Sequence, residues 1–227
     1  MNNLIKKLVL AAVVGVATSG WASIDFTGSG GSYTATSTDS ASIPDYPDTG
    51  VAYSLHFNDS YFNNIIAISV TFTTTGGWNG DIYAYLSHGD GIAYLLNRVG
   101  ASSGDADGYN TSGFNNITLS SSGTTDIHGV PTPTTAHGAY EADGRVAYTD
   151  TARPDTLNVF GGANPNGDWT LYFGDEASGN TSTLTSWHVD LTAVPEPVNV
   201  ALGVFGVVVV GTIVVRRYFT KSKVISI

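Results

Sequence analysis

Residues 100–104 read Gly-Ala-Ser-Ser-Gly, a G-x-S-x-G match that would make Ser102 a nucleophile. Such a serine works only on the sharp turn between a buried strand and a helix, where its hydroxyl meets a base and backbone N–H donors. Here the chain continues Asp105-Ala106-Asp107-Gly108, a loop composition. The histidines at 56, 88, 128, 137 and 188 are scattered, and none has the H-x-x-x-H spacing of a metal pair. A serine hydrolase using Ser102 and one of these histidines therefore stands as the alternative reading. Asp105, Asp107 and Asn110 form a D-x-D-G-x-N run of hard oxygen ligands, which suits calcium, although its glycine is not where an EF-hand needs one. The chain has no cysteine, which excludes a disulfide scaffold, a thiolate metal site and a cysteine nucleophile.

Charge is distributed unevenly along the 227 residues. All 19 acids lie between residues 23 and 197, where Arg98, Arg145 and Arg153 are the only cations, so that stretch carries −16. A surface this acidic repels phosphate backbones, and nucleic acid is excluded as a partner.

The two ends read as addresses. Met1–Lys7 is short and basic, Leu8–Val16 is apolar, and Gly20-Trp21-Ala22 puts small residues at −3 and −1 of a cleavage site. Residues 1–22 are therefore expected to be a secretory signal peptide, followed by an N-terminal segment over 23–39. At the other end, Val198–Val215 is apolar apart from Asn199 and Thr212, and Arg216-Arg217 follow directly. At about 1.5 Å per residue it reaches roughly 27 Å, which snorkelling arginines extend to a bilayer core of about 30 Å. The pattern predicts a transmembrane helix over 198–215 and a basic cytoplasmic tail over 216–227, with the acidic domain outside.

Val194-Pro195-Glu196-Pro197, then this short apolar helix, then Arg216-Arg217, resembles the PEP-CTERM sorting signal of Gram-negative bacteria. The resemblance implies processing near Pro-Glu-Pro by an exosortase-like membrane protease, with the inner membrane a transient station before the cell surface or extracellular matrix. Tails of that family stop soon after the arginines, whereas Tyr218–Ile227 adds ten residues. Retention as a single-pass inner-membrane protein thus stays open.

Between the addresses the pattern is all-β. Val51, Tyr53, Leu55 and Phe57 alternate; so do Ile66, Ile68, Val70 and Phe72, then Ile82, Ala84 and Leu86, then Trp169, Leu171 and Phe173. A last strand over Leu184–Leu191 carries Trp187 and Val189, and Gly/Asn/Asp clusters separate the runs. Short strands at this spacing predict a β-sandwich or jelly roll. Tyr83 and Tyr85 fall on the face opposite Ile82, Ala84 and Leu86. With Trp78 and Tyr94 they form either a second packing surface or a platform for stacking sugars.

Three stretches resemble the P domain (Homo B domain) of subtilisin-like proprotein convertases. Trp78-Asn79-Gly80-Asp81-Ile82 with Ser87–Gly91 and Leu95-Leu96 is the first, and Arg98-Val99-Gly100 through Gly104-Asp105 the second. The third runs from Leu157–Gly162 through Asn166-Gly167-Asp168-Trp169-Thr170-Leu171 and Asp175 to Gly179 and Leu184-Thr185-Ser186-Trp187. Gly80, Trp169 and Trp187 are its fold-signature positions. The resemblance covers residues 40–193 and implies an eight-stranded, galactose-binding-like jelly roll. Some members hold calcium within the domain, which adds Asp81 and Asp175 to Asp105, Asp107 and Asn110 as candidate ligands. Catalysis in the convertases belongs to a separate subtilisin-type domain, and no segment here resembles one.

The sequence thus reads as a non-catalytic, exported cell-surface or matrix module that binds exopolysaccharide or a surface protein. A stand-alone P-like domain supporting a separate subtilisin-like protease in trans is a further alternative.

Overall fold

The computed structural model describes residues 23–195 and 197–222, the side chains of 197–200 and 218–222 excepted. The signal peptide expected over 1–22, Glu196 of the sorting motif and residues 223–227 of the tail lie outside the described residues.

Among the described residues twelve strands build two sheets. They are β1 (Ile24–Asp25), β2 (Thr27–Ser29), β3 (Ser32–Ser37), β4 (Ala41–Ile43), β5 (Val51–Phe57), β6 (Asn64–Gly76), β7 (Ile82–His88), β8 (Gly91–Asn97), β9 (Ile117–Ser120), β10 (Ala139–Tyr140), β11 (Gly167–Asp175) and β12 (Ser182–Val194). One sheet runs β1-β5-β11-β7-β8; the other runs β10-β9-β6-β12-β3-β2, with β4 also paired to β12. Strands of four residues or more number eight, four to a sheet, and every pairing among them is antiparallel.

The period of two explains why these segments pair as they do. One side of each strand carries Tyr53, Leu55 and Phe57, or Ile82, Ala84 and Leu86, or Trp169, Leu171 and Phe173, and all of these are buried. Rings meet across the two sheets: Tyr53 on Trp187 at 5.0 Å, Phe72 on Phe173 at 5.4 Å and Tyr33 on Phe57 at 4.7 Å. The chain is therefore an all-β sandwich with one core between its sheets. Residues 24–37, which the sequence set apart as an N-terminal segment, supply β1, β2 and β3. β3 pairs with β12 from Ser32 to Ser37 and buries Tyr33 and Ala35 in the core.

One alternation breaks. Ile66, expected to face the core with Ile68, Val70 and Phe72, is 58% exposed, and Ile65 is buried in its place. The register with β12 steps from Ala67↔Thr192 to Ile65↔Ala193, so Ile66 is the extra residue of a β-bulge and points outward.

After Pro195 the chain forms α1 (Pro197–Ser222), whose first residue is a proline, as a helix N1 position favours. The expected span 198–215 thus lies inside a longer helix. Its described side chains cover 201–217 and are exposed, Leu202, Phe205 and Val207 among them. Among the described residues no helix is long and apolar enough to cross a membrane, so the transmembrane helix expected over 198–215 is not found.

Candidate functional site

Two of the carboxylates singled out by the sequence, Asp81 and Asp175, meet at one end of the first sheet. Asp81 closes the 3-10 turn Asn79–Asp81 that leads into β7, and Asp175 is the last residue of β11. The Asp175↔Ile82 pairing and the Glu176 N–H donated to the Asp81 carbonyl (2.8 Å) set the two side by side. The 98–113 loop is tied to the same turn, because Asn79 and Gly80 donate their N–H groups to the carbonyls of Thr111 (2.8 Å) and Tyr109 (2.9 Å). Gly80 permits this approach: a Cβ there would stand 2.3 Å from the Asp107 carbonyl oxygen and 2.7 Å from the Tyr109 nitrogen. Asp45 belongs to the same end and accepts the Gly179 N–H on both carboxylate oxygens.

Burial and crowding shape the pair. Asp81 is 3% exposed and Asp175 2%. Asp175 Oδ1 accepts the Ala177 N–H at 3.2 Å, while its Oδ2 is buried with no hydrogen-bond partner among the described residues. Burial lifts the Asp175 carboxyl from 3.8 to about 6; the Ala177 N–H opposes this, and the charges of Asp81, Asp45 and Glu176 add to it. Asp81 is raised in the same way, by burial first and by Asp107 and Asp45 after it, against the pull of Arg98.

A carboxyl that holds its proton more tightly when folded makes the fold less stable as it ionises. The Asp175 contribution is favourable below pH 3.8 and is lost as pH rises towards about 6. Asp175→Asn removes that charge and can keep the contact to Ala177. The variant is expected to melt several degrees higher than the parent at pH 7.5 in a chelator, with the gap closing near pH 4. A lower melting temperature at pH 7.5 would contradict the electrostatic account of the pair.

Of the five proposed calcium ligands, the structure brings together Asp81 and Asp175, with Asp107 close enough to act on Asp81 by its charge. Asp105 and Asn110 are exposed, and Asp105 Oδ1 accepts the Asp107 N–H at 3.2 Å within its own loop. Among the described residues no three His, Asp or Glu side chains stand in an arrangement that could hold a metal ion.

A second polar centre was not legible in the sequence. Asp143 is fully buried and takes His128 Nδ1–H on Oδ2 at 2.6 Å and Arg145 on Oδ1 at 3.0 Å. Arg145 also pairs with Asp126 at 2.7 Å, and Arg153 with Glu141 at 2.7 Å. His128 Nε2 faces the Ala101 carbonyl at 2.9 Å, so both ring nitrogens point at acceptors and both must carry protons. Burial opposes that charge. The hydrogen bond and charge of Asp143, with the Ala101 carbonyl, outweigh it and lift His128 above the ordinary histidine value, against Arg145. The usable signal was the scarcity of cations: Arg145 and Arg153 are two of the three in the acidic stretch.

Ser102 does not form a catalytic pair in this structure. Its Oγ accepts the N–H groups of Gly104 (3.3 Å) and Asp105 (3.1 Å) in a local turn, and no histidine hydrogen-bonds it among the described residues. His56 and His188 sit beside Asp168 and Asp190, while His88 and His137 stack on Trp169 and Tyr140.

The tyrosine face resolves as a packing surface. Tyr85, Tyr94 and Tyr172 are buried as a cluster under Val146, with Tyr83 and Ile92 packed against it. The covering loop is pinned by the Tyr94 N–H to the Asp155 carbonyl and the Gly144 N–H to the Tyr94 carbonyl, both 2.9 Å. Tyr85 and Tyr94 therefore cannot stack on sugars, and of the four candidate aromatics Trp78 remains exposed at 37%. Where the loop passes Tyr83 it leaves a cavity of about 260 Å³, lined by Tyr83, Asn97, Arg98, Val146, Ala147, Tyr148 and Glu176.

The molecule is thus an all-β sandwich with a buried carboxylate pair at one sheet end and an apolar helix behind its last strand. No family model and no curated protein matches the chain. Among solved structures it is similar to the Aeromonas sobria serine protease in its complex with the chaperone ORF2, at 15% identity and a TM-score of 0.40, over 83% of this chain and 29% of that one. It is also similar to a structure of serine protease of Aeromonas sobria, at 14% identity and a TM-score of 0.39, over 84% and 30%. The chain spans less than a third of the length of these structures, and likeness at this level says nothing about activity.

Proposed function

We propose that the chain is a non-catalytic binding module, exported by its N-terminal signal and held by its C-terminal helix for PEP-CTERM-type sorting to the surface or matrix. The observation that carries this reading is α1. A helix whose described side chains from 201 to 213 are exposed and apolar but for Thr212 has no stable place in water and calls for a bilayer or a partner. Its 26 residues extend past the described side chains at both ends, and Arg216 and Arg217 mark the side that stays in the cytoplasm. Pro195 separates it from β12, so the motif Val194-Pro195-Glu196-Pro197 stands between the sandwich and the anchor, where a processing protease of the exosortase type would act. The sandwich itself is P-domain-like, a jelly roll with four long strands per sheet. Its ligand is the exopolysaccharide of the matrix in which it is displayed. Full-length protein in detergent should co-sediment with the organism's own exopolysaccharide and not with an unrelated neutral polymer. Equal recovery with and without polymer would overturn the binding role.

Calcium belongs to this reading as a structural ion. Asp81 and Asp175 would give it two carboxylates, the buried, unpartnered Asp175 Oδ2 among their oxygens. With no third His, Asp or Glu beside them among the described residues, backbone carbonyls and water would have to supply the other ligands. Bound there, the ion would neutralise the crowded carboxylates and do no chemistry. Calcium chloride, unlike magnesium chloride, should raise the melting temperature of the chelator-treated chain, and Asp175→Asn should abolish the rise. An unchanged melting temperature would leave the pair as two crowded acids with no ion to hold.

A further inference from the structure

Arg98 is the third cation of the acidic stretch, and its surroundings differ from those of the other two. Arg145 and Arg153 are engaged by Asp126, Asp143 and Glu141. Arg98 makes no ion pair among the described residues. Its Nε donates to the Gly80 carbonyl at 3.4 Å, and its guanidinium lies 5.2 Å from the Tyr148 ring centre, a cation–π contact. The backbone is held at φ 54°, a left-handed conformation that is unfavourable for a residue other than glycine. The Arg98 N–H donated to the Ile82 carbonyl at 3.0 Å helps to hold it there. No carboxylate stands within ion-pair distance of the guanidinium among the described residues, although its charge acts on Asp81 and Glu176, and Arg98 lines the 260 Å³ cavity. The same cavity is lined by Glu176, whose carboxyl hydrogen-bonds no described residue and feels the Arg98 charge, and by Tyr83 and Tyr148.

We infer that this cavity is a saccharide subsite for a uronic acid residue, its carboxylate on the Arg98 fork, its hydroxyls on Glu176 and a ring face on Tyr148. A planar donor fork matches a carboxylate with two parallel hydrogen bonds, which a lysine cannot reproduce. Glu176 accepts from hydroxyls, and its charge opposes a phosphate, with its higher charge, more than a single carboxylate. The volume is below the range of about 300–1,000 Å³ typical of drug-sized ligands, which limits the occupant to about one sugar ring. This assignment rests on the polysaccharide-binding reading and narrows it.

The test is calorimetric titration of the full-length chain in detergent with sodium glucuronate, glucose and inorganic phosphate, with polymer co-sedimentation alongside. Glucuronate is expected to bind in the millimolar range, at least tenfold tighter than glucose or phosphate. Arg98→Lys should lose about tenfold, and Tyr148→Ala, which leaves the Arg98 backbone contacts in place, should lose severalfold. Glucuronate no tighter than glucose, or full binding by Arg98→Lys, would overturn the subsite. If the host polymer still co-sediments in that case, the subsite fails and the broader function stands. If neither binds, both fail.

Discussion

Asp143→Ala is expected to lower the folding free energy by about 3–5 kcal/mol, the cost of leaving buried charges without their partner. Asp143 lies between His128 Nδ1 and the Arg145 guanidinium, and its two oxygens also accept the N–H groups of Asn97 and Arg145 at 3.3 Å. Removing it strands a doubly protonated imidazole and takes one of two carboxylates from Arg145. Replacing the whole set with apolar residues would cost far less, because the desolvation of the charges would vanish with them. Urea unfolding at pH 6 measures the loss, and a change below about 1 kcal/mol would show that the network contributes little. A pH series supplies an independent signature. His128 has a folded pKa above its ordinary value. Its stabilising contribution is therefore complete below about pH 6.5 and falls away as pH rises through the folded value. Asp143→Ala should flatten that alkaline slope, while the Asp175 contribution between pH 3.8 and about 6 persists.

Trp169→Ala should cost a similar amount, about 3–5 kcal/mol. The indole is buried among Phe160 (5.0 Å between ring centres), Phe26 (6.2 Å) and the stacked His88 (4.1 Å). Its Nε1–H donates to the Pro165 carbonyl at 2.9 Å, which ties the core to the turn before β11. Alanine opens a cavity and leaves that carbonyl unmatched. Trp169→Phe keeps most of the packing and loses the hydrogen bond, so it should cost roughly 1–2 kcal/mol. Trp78→Ala, at an exposed indole, should stay within about 0.5 kcal/mol of the parent. Denaturant midpoints at constant slope compare all three, and equal losses at Trp169 and Trp78 would contradict the assigned core.

Most of the sandwich was legible because an alternating strand reports its buried face directly. Ile82, Ala84 and Leu86, or Trp169, Leu171 and Phe173, need no partner to be read. Ile66 misled because a bulge changes the phase within one strand, and only the pairing with Ala193 reveals it. The tyrosine face was ambiguous for another reason. Its cover, Val146, comes from a segment without strand periodicity that the local pattern cannot place. Asp81 and Asp175 were visible through their motif, but their crowding with Asp45 required β11 to lie against β7. The His128–Asp143–Arg145–Asp126 network was silent because its members occupy irregular segments with no shared spacing. The cavity beside Arg98 was silent too, because its lining joins Tyr83 of β7 and Asn97 of β8 to loop residues Val146–Tyr148 that only the fold brings to them.

The central claim is that a folded sandwich is exported and delivered through its C-terminal signal. Intact-mass measurement on the protein from its native organism, after separation of cytoplasm, inner membrane, outer surface and medium, tests it most directly. The account predicts a species outside the inner membrane that begins near Ser23 and ends near Pro195–Pro197. A chain recovered only at its full 227 residues, still carrying residues 1–22 and α1, would contradict it.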